Sequence, residues 1–189
     1  MNIQEASHQI YTYLERIDNL VRAQERLLCN QYDLQPIQLR MLYYLSICNR
    51  YSNTPASVTD YVQLTKGTVS QSLKALENKG YIEKQADARD KRQIHLSITE
   101  SGQTLLAQLP PALLQEVSKI LGEAAAQEAV AVLHRLLATM QRTNEMSSFG
   151  VCGTCQYHQQ LDAQQFRCGL TEELLSMPEA KFICREHTQ

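Results

Sequence analysis

The chain has 189 residues, 43% of them hydrophobic, and a formal net charge of −2, which suits one globular domain with at most a small appendage and excludes a protein that is basic all over. No apolar run approaches the roughly 18 residues of a membrane-spanning helix. The N-terminus lacks the basic-then-apolar pattern of a signal peptide, so the sequence predicts a cytoplasmic protein.

Three helices are predicted in the first third of the chain. Residues 3–29 have an apolar face at helical spacing, formed by Ile10, Tyr13, Leu14, Ile17, Val21 and Leu28. Pro36 suits the first turn of a second helix, which is expected to reach about Cys48. Ser57 and Asp60 have the spacing of a capping box, although Asp is less usual at its third position, and they predict the start of a short third helix.

Residues 65–79 predict a fourth helix with two different faces. Thr65 can cap its N-terminus, and Gly80 can end it in the left-handed conformation. Three apolar residues recur at i, i+4 and i+7 and form a core-facing stripe: Val69, Leu73 and Leu76. The opposite face is assigned only small polar or cationic side chains: Lys66, Thr68, Gln71, Ser72 and Lys74. Such a face fits the major groove of DNA, because these groups reach base edges and phosphates at little desolvation cost.

Residues 81–85 and 93–98 predict two antiparallel strands joined by a charged loop. The loop presents three cations, Arg89, Lys91 and Arg92. Cations at a hairpin tip can lie along phosphates or enter a narrow minor groove, and we interpret Asp87 and Asp90 as acceptors that orient a neighbouring Arg. Residues 66–92 hold seven Lys or Arg against four Asp or Glu, a local basic surface typical of DNA binding at one place. A solvated hairpin is the alternative for the loop taken alone.

Residues 99–146 predict further helices and a dimer. Thr99 starts a helix that Pro110 and Pro111 must kink or break. A last helix is predicted near residues 123–146, with one apolar face formed by Ala129, Leu133, Leu136, Leu137 and Met140. The apolar faces of this helix and of residues 3–29 have no obvious partner within one small domain, which predicts a homodimer.

Residues 147–189 differ in character from the rest. They contain four of the six cysteines, Cys152, Cys155, Cys168 and Cys184, and few aliphatic residues. Cytosolic thiols stay reduced, so their clustering indicates metal or redox chemistry, and a segment with little core usually needs a metal to be ordered. We therefore predict two units, residues 1–146 and 147–189, with a frayed tail as the alternative for the second. The predicted aromatic shield of the metal is Phe149, Tyr157, Phe166 and Phe182.

Two ligand sets are compatible with this spacing. Zinc commonly uses two short knuckles, which Cys152, Cys155, Cys184 and His187 would supply, leaving Cys168 idle. Ligation by all four thiolates instead resembles the cluster segment of the high-potential iron–sulfur proteins and the small iron–sulfur subunits of some glycyl-radical decarboxylases. We favour four-thiolate ligation and a 4Fe–4S cluster, which would make the protein a redox or oxygen sensor. Zinc, which would make the tail structural, is the alternative.

No catalytic arrangement is found among the remaining candidates. The five histidines, His8, His95, His134, His158 and His187, are scattered, and neither a glycine-rich phosphate loop nor a nucleophile motif is present. Cys29 and Cys48 lie near predicted helix ends among apolar residues, where free cysteine packs as a small hydrophobe. The sequence therefore predicts that the chain is not an enzyme.

Four motifs in a fixed order resemble the winged helix-turn-helix of the MarR transcriptional regulators: LTKGTVS at 64–70, LENKGYI at 76–82, DARDKR at 87–92 and LSITESG at 96–102. The resemblance covers roughly residues 5–146. It implies a mainly α fold with a small β-hairpin wing, in an intertwined homodimer that places two recognition helices ~34 Å apart on a pseudo-palindromic DNA site. Some members of the family sense peroxide through a cysteine near the first helices, which keeps Cys29 as a candidate.

These observations predict a sequence-specific DNA-binding transcriptional regulator, modulated by a small-molecule or redox effector or by the metal state of its four-cysteine site. Thr68, Gln71 and Ser72 are expected at base edges. Contacts to phosphates or the minor groove are expected mainly from Lys66, Ser70, Lys74, Arg89, Lys91 and Arg92. Thr65 completes the set of predicted DNA-binding residues. The alternative is a winged-helix protein-interaction module with a structural zinc tail. A protein-binding groove, however, would expose Leu, Met or aromatic anchors on the fourth helix.

Overall fold

The computed structural model describes residues 2–88, 90–108, 111–162 and 165–188. Over these ranges the chain is mainly helical with a small antiparallel hairpin, which confirms the predicted winged-helix fold class. The helices are α1 (Ile3–Gln31), α2 (Pro36–Ile47), α3 (Pro55–Val62), α4 (Lys66–Asn78), α5 (Glu100–Leu106), α6 (Pro111–Leu121) and α7 (Glu123–Thr143). The strands are β1 (Ile82–Ala86), β2 (Ile94–Ile98), β3 (His158–Gln160), β4 (Gln165–Cys168) and β5 (Leu174–Ser176). No helix in the described ranges is long and apolar enough to cross a membrane.

The main core is centred on α2. Its residues Leu39, Met41, Leu42 and Tyr44 are almost completely buried, and apolar residues of α3, α4, β1, β2 and α5 pack around them. The hydroxyl of Tyr44 donates a hydrogen bond of 2.7 Å to the carbonyl oxygen of Ser52, so the one polar atom of this side chain is satisfied inside the core. Cys29 and Cys48 are buried beside it, as predicted, and burial raises the pKa of the Cys48 thiol to about 12.

Helix α3 starts earlier than the sequence analysis predicted. Its N-cap is Thr54, whose side chain accepts from the backbone N–H of Ser57 at 3.2 Å, and Pro55 occupies the first turn. Ser57 is therefore buried inside the helix and is not its cap. The prediction of a capping box at Ser57 is wrong, because Thr followed by Pro is the stronger start signal: it supplies an acceptor and a preset φ.

Helix α4 and the hairpin agree with their predicted limits to within one or two residues. The Thr65 side chain caps α4 by accepting from the backbone N–H of Thr68 at 3.2 Å, and Gly80 has a φ of 72° after its end. Strands β1 and β2 pair antiparallel, with Ile82 opposite Ile98. A side chain at Gly102 would collide with the carbonyl oxygen of Tyr81, so only glycine allows α5 to pack at the base of this hairpin.

The helical region breaks between α5 and α6, as the prolines predicted, although Pro110 itself lies outside the described residues. Helices α6 and α7 pack against each other. Leu114, Val117 and Ile120 of α6 are exposed, and none of the residues of α7 is buried. These helices therefore present an apolar surface that the described part of a single chain leaves uncovered.

The C-terminal segment, residues 147–188, is folded around a three-stranded antiparallel sheet in the order β3-β4-β5. Its small core contains Cys152, Phe166 and Leu175. The segment docks on the loop between α2 and α3, residues 48–54, because Ile183 forms a parallel bridge to Cys48. Within the segment, Ile183 also forms an antiparallel bridge to Val151. The prediction of two units, 1–146 and 147–189, stays a prediction, but the second unit is packed on the first.

Candidate nucleic-acid interface and cysteine cluster

The outer face of α4 carries most of the side chains that the sequence assigned to DNA. Lys66, Thr68, Ser70, Gln71 and Lys74 are all exposed, as is the cap residue Thr65. The opposite stripe is closed, since Val69 and Leu73 are each 1% exposed and Leu76 is 0% exposed. This helix therefore exposes hydroxyl, amide and ammonium groups on one face, while its opposite face is packed in the core.

Ser72 does not belong to this exposed face. It is only 8% exposed, because it lies three residues after Val69 and four before Leu76, which are the spacings of residues on one side of a helix. Its assignment to a base edge is therefore corrected: the hydroxyl of Ser72 faces the protein body. Thr68 and Gln71 remain as the exposed candidates for base contacts on this helix.

The wing presents its cations to solvent. Lys91 and Arg92 are exposed, and Arg89 lies outside the described residues. Asp90 accepts the backbone N–H of Arg92 at 3.0 Å, and its carboxylate lies 4.0 Å from the Arg92 guanidinium. This contact agrees with the interpretation of an acidic residue that orients a neighbouring Arg. Asp87 accepts the backbone N–H of Asp90 at 2.8 Å and so shapes the turn.

A contact that the sequence analysis missed fixes the wing to the body of the protein. The backbone N–H of Leu96 in β2 donates to the carbonyl oxygen of Asn53 at 2.7 Å. Beside it, Nδ1 of His95 lies 2.5 Å from Oδ1 of Asn53, and Nε2 of His95 lies 3.3 Å from the carboxylate of Asp87. The sequence carries no local signal for this contact, because His95 and Asn53 are 42 positions apart.

The backbone of the C-terminal segment brings its four cysteines into one unit. Cys152 and Cys155 are joined by a short 3-10 turn, in which the N–H of Cys155 donates to the carbonyl oxygen of Cys152 at 3.1 Å. Cys168 lies in β4 directly opposite His158 of β3. The N–H of Cys184 donates to the carbonyl oxygen of Gly150 at 2.9 Å, which places Cys184 on the strand-like segment beside Cys152.

The thiols are close enough to influence one another electrostatically. Burial raises the pKa of the Cys152 thiol to about 11, and negative charge on Cys184, Cys168 and Cys155 contributes to this rise. Nδ1 of His158 lies 3.9 Å from Sγ of Cys152, and the backbone N–H of Thr188 donates to Sγ of Cys155 at 3.5 Å. In the described parts of the chain, however, no group of three or more His, Cys, Asp or Glu side chains is arranged to hold a metal ion.

The two histidines near the cysteines have different surroundings. His187 is 6% exposed, and its ring nitrogens contact two hydroxyls: Nδ1 lies 2.7 Å from Ser148 Oγ and Nε2 lies 3.0 Å from Thr154 Oγ1. Burial lowers the pKa of this imidazole. His158 instead stacks on Phe166 with ring centroids 4.7 Å apart and contacts a thiol. The sequence placed both three residues after a cysteine, but only His158 faces the cysteine cluster.

The predicted aromatic shield is only partly where the sequence placed it. Phe166 is buried in the small core with Cys152. Phe149, by contrast, packs against the main core, with its ring centroid 5.9 Å from that of Tyr44. Tyr157 and Phe182 are half-buried in the C-terminal segment.

Comparison with known proteins identifies the DNA-binding part. Residues 25–102 match a family described as a winged helix DNA-binding domain. The chain therefore contains such a domain, and this confirms the prediction that it is not an enzyme. No curated protein is significantly similar to the chain.

Several solved structures have a similar fold. Two mutant forms of MepR from S. aureus are 27% identical, with TM-scores of 0.57 and 0.52; 69% of this chain covers 97% and 98% of theirs. The transcriptional regulator BldR from Sulfolobus Solfataricus is 19% identical, with a TM-score of 0.56, and shares the fold over 74% of this chain and 99% of BldR. Each of these proteins is almost wholly matched, whereas about a quarter to a third of this chain has no counterpart in them.

Proposed function

We propose that this chain, through its winged helix DNA-binding domain, is a homodimeric transcriptional regulator of the MarR type. The observation that carries the proposal is the outer face of α4, where Thr68, Gln71 and Lys74 are exposed while the opposite stripe is buried. A helix used to bind another protein would expose apolar or aromatic anchors on this face. The wing adds two exposed cations, Lys91 and Arg92, which are suited to contacts with DNA phosphates.

The proposed dimer rests on the uncovered apolar surface of the terminal helices. Leu133 and Leu137 of α7 are 50% and 54% exposed, and Ile10 and Ile17 of α1 are 43% and 49% exposed. Apolar helix faces that are exposed in this way mark an interaction site. A second copy of the same chain fits best, because a two-fold dimer pairs such faces and presents two copies of α4 to one DNA site.

The direct test is a gel shift with the DNA upstream of the protein's own gene. We expect a discrete complex that competitor DNA of random sequence displaces only in large excess. Gln71→Ala should weaken this complex more than the complex with random DNA. No complex with either DNA at micromolar protein would favour the protein-interaction module, with a structural zinc tail, over a regulator.

We also propose the C-terminal cysteines as a metal or iron–sulfur site whose state modulates DNA binding. The donor set is Cys152, Cys155, Cys168 and Cys184, which the backbone brings into one unit and which would converge fully only when bound. His187 is the weaker candidate, because both of its ring nitrogens contact hydroxyls. The absorbance spectrum of anaerobically purified protein, with iron and zinc analysis, distinguishes a 4Fe–4S cluster from zinc.

A cavity of about 540 Å³ is our candidate site for a small-molecule effector. It lies between α3 and the end of α7, and its apolar lining includes Tyr61, Leu137, Met140 and Phe149. This volume lies in the range of ligand pockets. Met140→Trp, which fills the cavity, should abolish the binding of such an effector.

A further inference from the structure

The loop between α2 and α3 is held by the C-terminal segment from one side. Its residue Asn49 donates its backbone N–H to the carbonyl oxygen of Ile183 at 2.9 Å, and Ile183 donates to Ile47 at 2.8 Å. The backbone N–H of Arg185 donates to Oγ of Ser52 at 2.9 Å, and Ser52 is 0% exposed. Cys184, a proposed metal ligand, therefore lies between two residues that are both bound to this loop.

Arg50 adds a second attachment to the same loop. Its guanidinium lies 3.2 Å from the carboxylate of Glu173 and 3.0 Å from that of Glu179, and it donates to the carbonyl oxygen of Leu174 at 2.8 Å. The hydroxyl of Tyr51 donates to Glu173 at 2.9 Å. Since several partly screened charge pairs share one arginine, they fix its position better than an isolated surface pair would.

From its other side the same loop holds the wing. Asn53 accepts the N–H of Leu96 and contacts the ring of His95, which in turn reaches Asp87 at the wing turn. The wing and the C-terminal segment face each other across a cleft of about 700 Å³. Residues 50, 51 and 53 of the loop line this cleft together with residues of the wing and of the C-terminal segment. The loop is therefore a direct structural link between the two.

We propose that the C-terminal segment positions the wing of its own subunit through the α2–α3 loop, with His95 as the positioning residue. The effect of this positioning depends on the proposed DNA-binding function, because a wing held at one angle presents Lys91 and Arg92 to the phosphates. The link runs within one subunit and does not require the distance between the two recognition helices to change. An order–disorder change in the segment would then alter DNA affinity by loosening the wing.

Hydrogen exchange of the full-length protein without DNA tests the link. Arg50→Ala should speed amide exchange in residues 49–53 and in β2, most clearly at the Leu96 N–H. The matched control is Arg167→Ala, because Arg167 is similarly exposed and its ion pair with Glu172 stays inside the C-terminal segment. Unchanged exchange in α4 shows that a variant is folded. If Arg50→Ala does not fold, Ser52→Ala removes the acceptor of the Arg185 N–H and replaces it in the experiment.

DNA binding supplies the second readout, with a 30-base-pair duplex of random sequence as the probe. His95→Ala should weaken binding and lower the salt slope by about one for each phosphate that the wing no longer neutralises. His95→Asn, which keeps a polar group near Asn53, should restore part of the affinity. The double variant Arg50→Ala with His95→Ala should bind DNA no more weakly than His95→Ala alone.

Faster exchange confined to residues 149–188, or additive losses of affinity in the double variant, would overturn the proposal. Because exchange is measured without DNA, a failure to bind DNA at all would count only against the proposed function.

Discussion

The ring of Phe149 meets the ring of Tyr61 edge to face, with centroids 5.3 Å apart and planes at 79°. Phe149 has a φ of 44°, a left-handed conformation that is costly for a bulky residue. The conformation is kept because it turns the ring back into the main core, between Tyr61 and Tyr44. The first residues after α7 are thus an anchor that fastens the C-terminal segment to the helix-turn-helix.

Phe149→Ala should destabilise the whole protein. The expected decrease in the free energy of unfolding is about 3 kcal/mol, at the low end for a core phenylalanine because the ring is partly exposed. Urea unfolding followed by circular dichroism measures it. Tyr157→Ala serves as the control, since Tyr157 is half-buried within the C-terminal segment. Equal midpoints for wild type and Phe149→Ala would show that the ring does not anchor the segment.

Helix α4 and the wing should contribute differently to DNA binding. Arg92→Ala should weaken binding to specific and random duplexes alike and lower the salt slope by about one, because one phosphate is no longer neutralised. Gln71→Ala should instead change the preference at one base pair, by ~1–3 kcal/mol. Fluorescence anisotropy at several salt concentrations separates the two effects. Ser72→Ala should have little effect on DNA affinity, and a decrease as large as that of Gln71→Ala would reinstate Ser72 as a base contact.

Replacement of Leu133 by Glu should separate the proposed dimer. The residue is 50% exposed on α7 in the single chain, and a buried unpaired carboxylate at an interface is strongly unfavourable. Sedimentation at micromolar concentration should give a dimer for wild type and a folded monomer for Leu133→Glu. Ala131→Glu introduces the same residue on the opposite side of the helix and should stay dimeric. A wild-type monomer would rule out the dimer itself.

The sequence was sufficient for elements whose signals are local. Thr65, Gly80 and the apolar stripe of α4 lie within one short stretch, and the two strands flank a charged loop that is equally local, so their limits could be predicted. Ser72 was misassigned because it lies at the edge of the apolar stripe, where spacing alone does not separate a flanking position from an exposed one. The start of α3 was misplaced because two cap signals, Thr54 and Ser57, compete within four residues.

The docking of the C-terminal segment could not be predicted in the same way. Arg185 and Ser52 are 133 residues apart in sequence, and Arg50 finds its glutamates at a similar separation. Such contacts depend on where two folded units meet, which no spacing within either unit encodes. The spacing of the cysteines likewise did not show which of the two nearby histidines faces them: His158 contacts Cys152, whereas His187 contacts two hydroxyls.

Acid should weaken the attachment of the C-terminal segment at Glu179. Burial raises the pKa of this carboxyl group, but hydrogen bonds from Ser176 and the charge of Arg50 outweigh it, so the pKa lies below its ordinary value. A lowered folded-state pKa means that the stabilisation is complete above the ordinary value and is lost as the pH falls through the folded-state value.

Glu179→Gln should therefore reduce the free energy of unfolding by about 1 kcal/mol at pH 7, and the difference from wild type should disappear below the folded-state pKa. Urea unfolding at pH 7 and at acid pH checks this. The control is Glu172→Gln, because the side chain of Glu172 is 77% exposed. A difference that persists unchanged in acid would mean that the ionised carboxylate is not what stabilises the segment.

Removal of Cys168 separates the two ligand sets proposed for the C-terminal segment. If four thiolates hold the metal or cluster, Cys168→Ser should lose it and leave residues beyond 147 less ordered, because ligation and ordering are coupled. His187→Gln should then keep the metal, since its ring already contacts Ser148 and Thr154. Cys29→Ser, which changes a buried thiol in the main core, is the matched control.

Iron and zinc are measured in all four proteins together with affinity for the operator. Metal lost from His187→Gln but kept by Cys168→Ser would establish the Cys/His zinc site instead. Metal lost from Cys168→Ser with unchanged operator affinity would reduce the segment to a structural appendage, because a ligand that favours neither state of the wing cannot shift DNA binding.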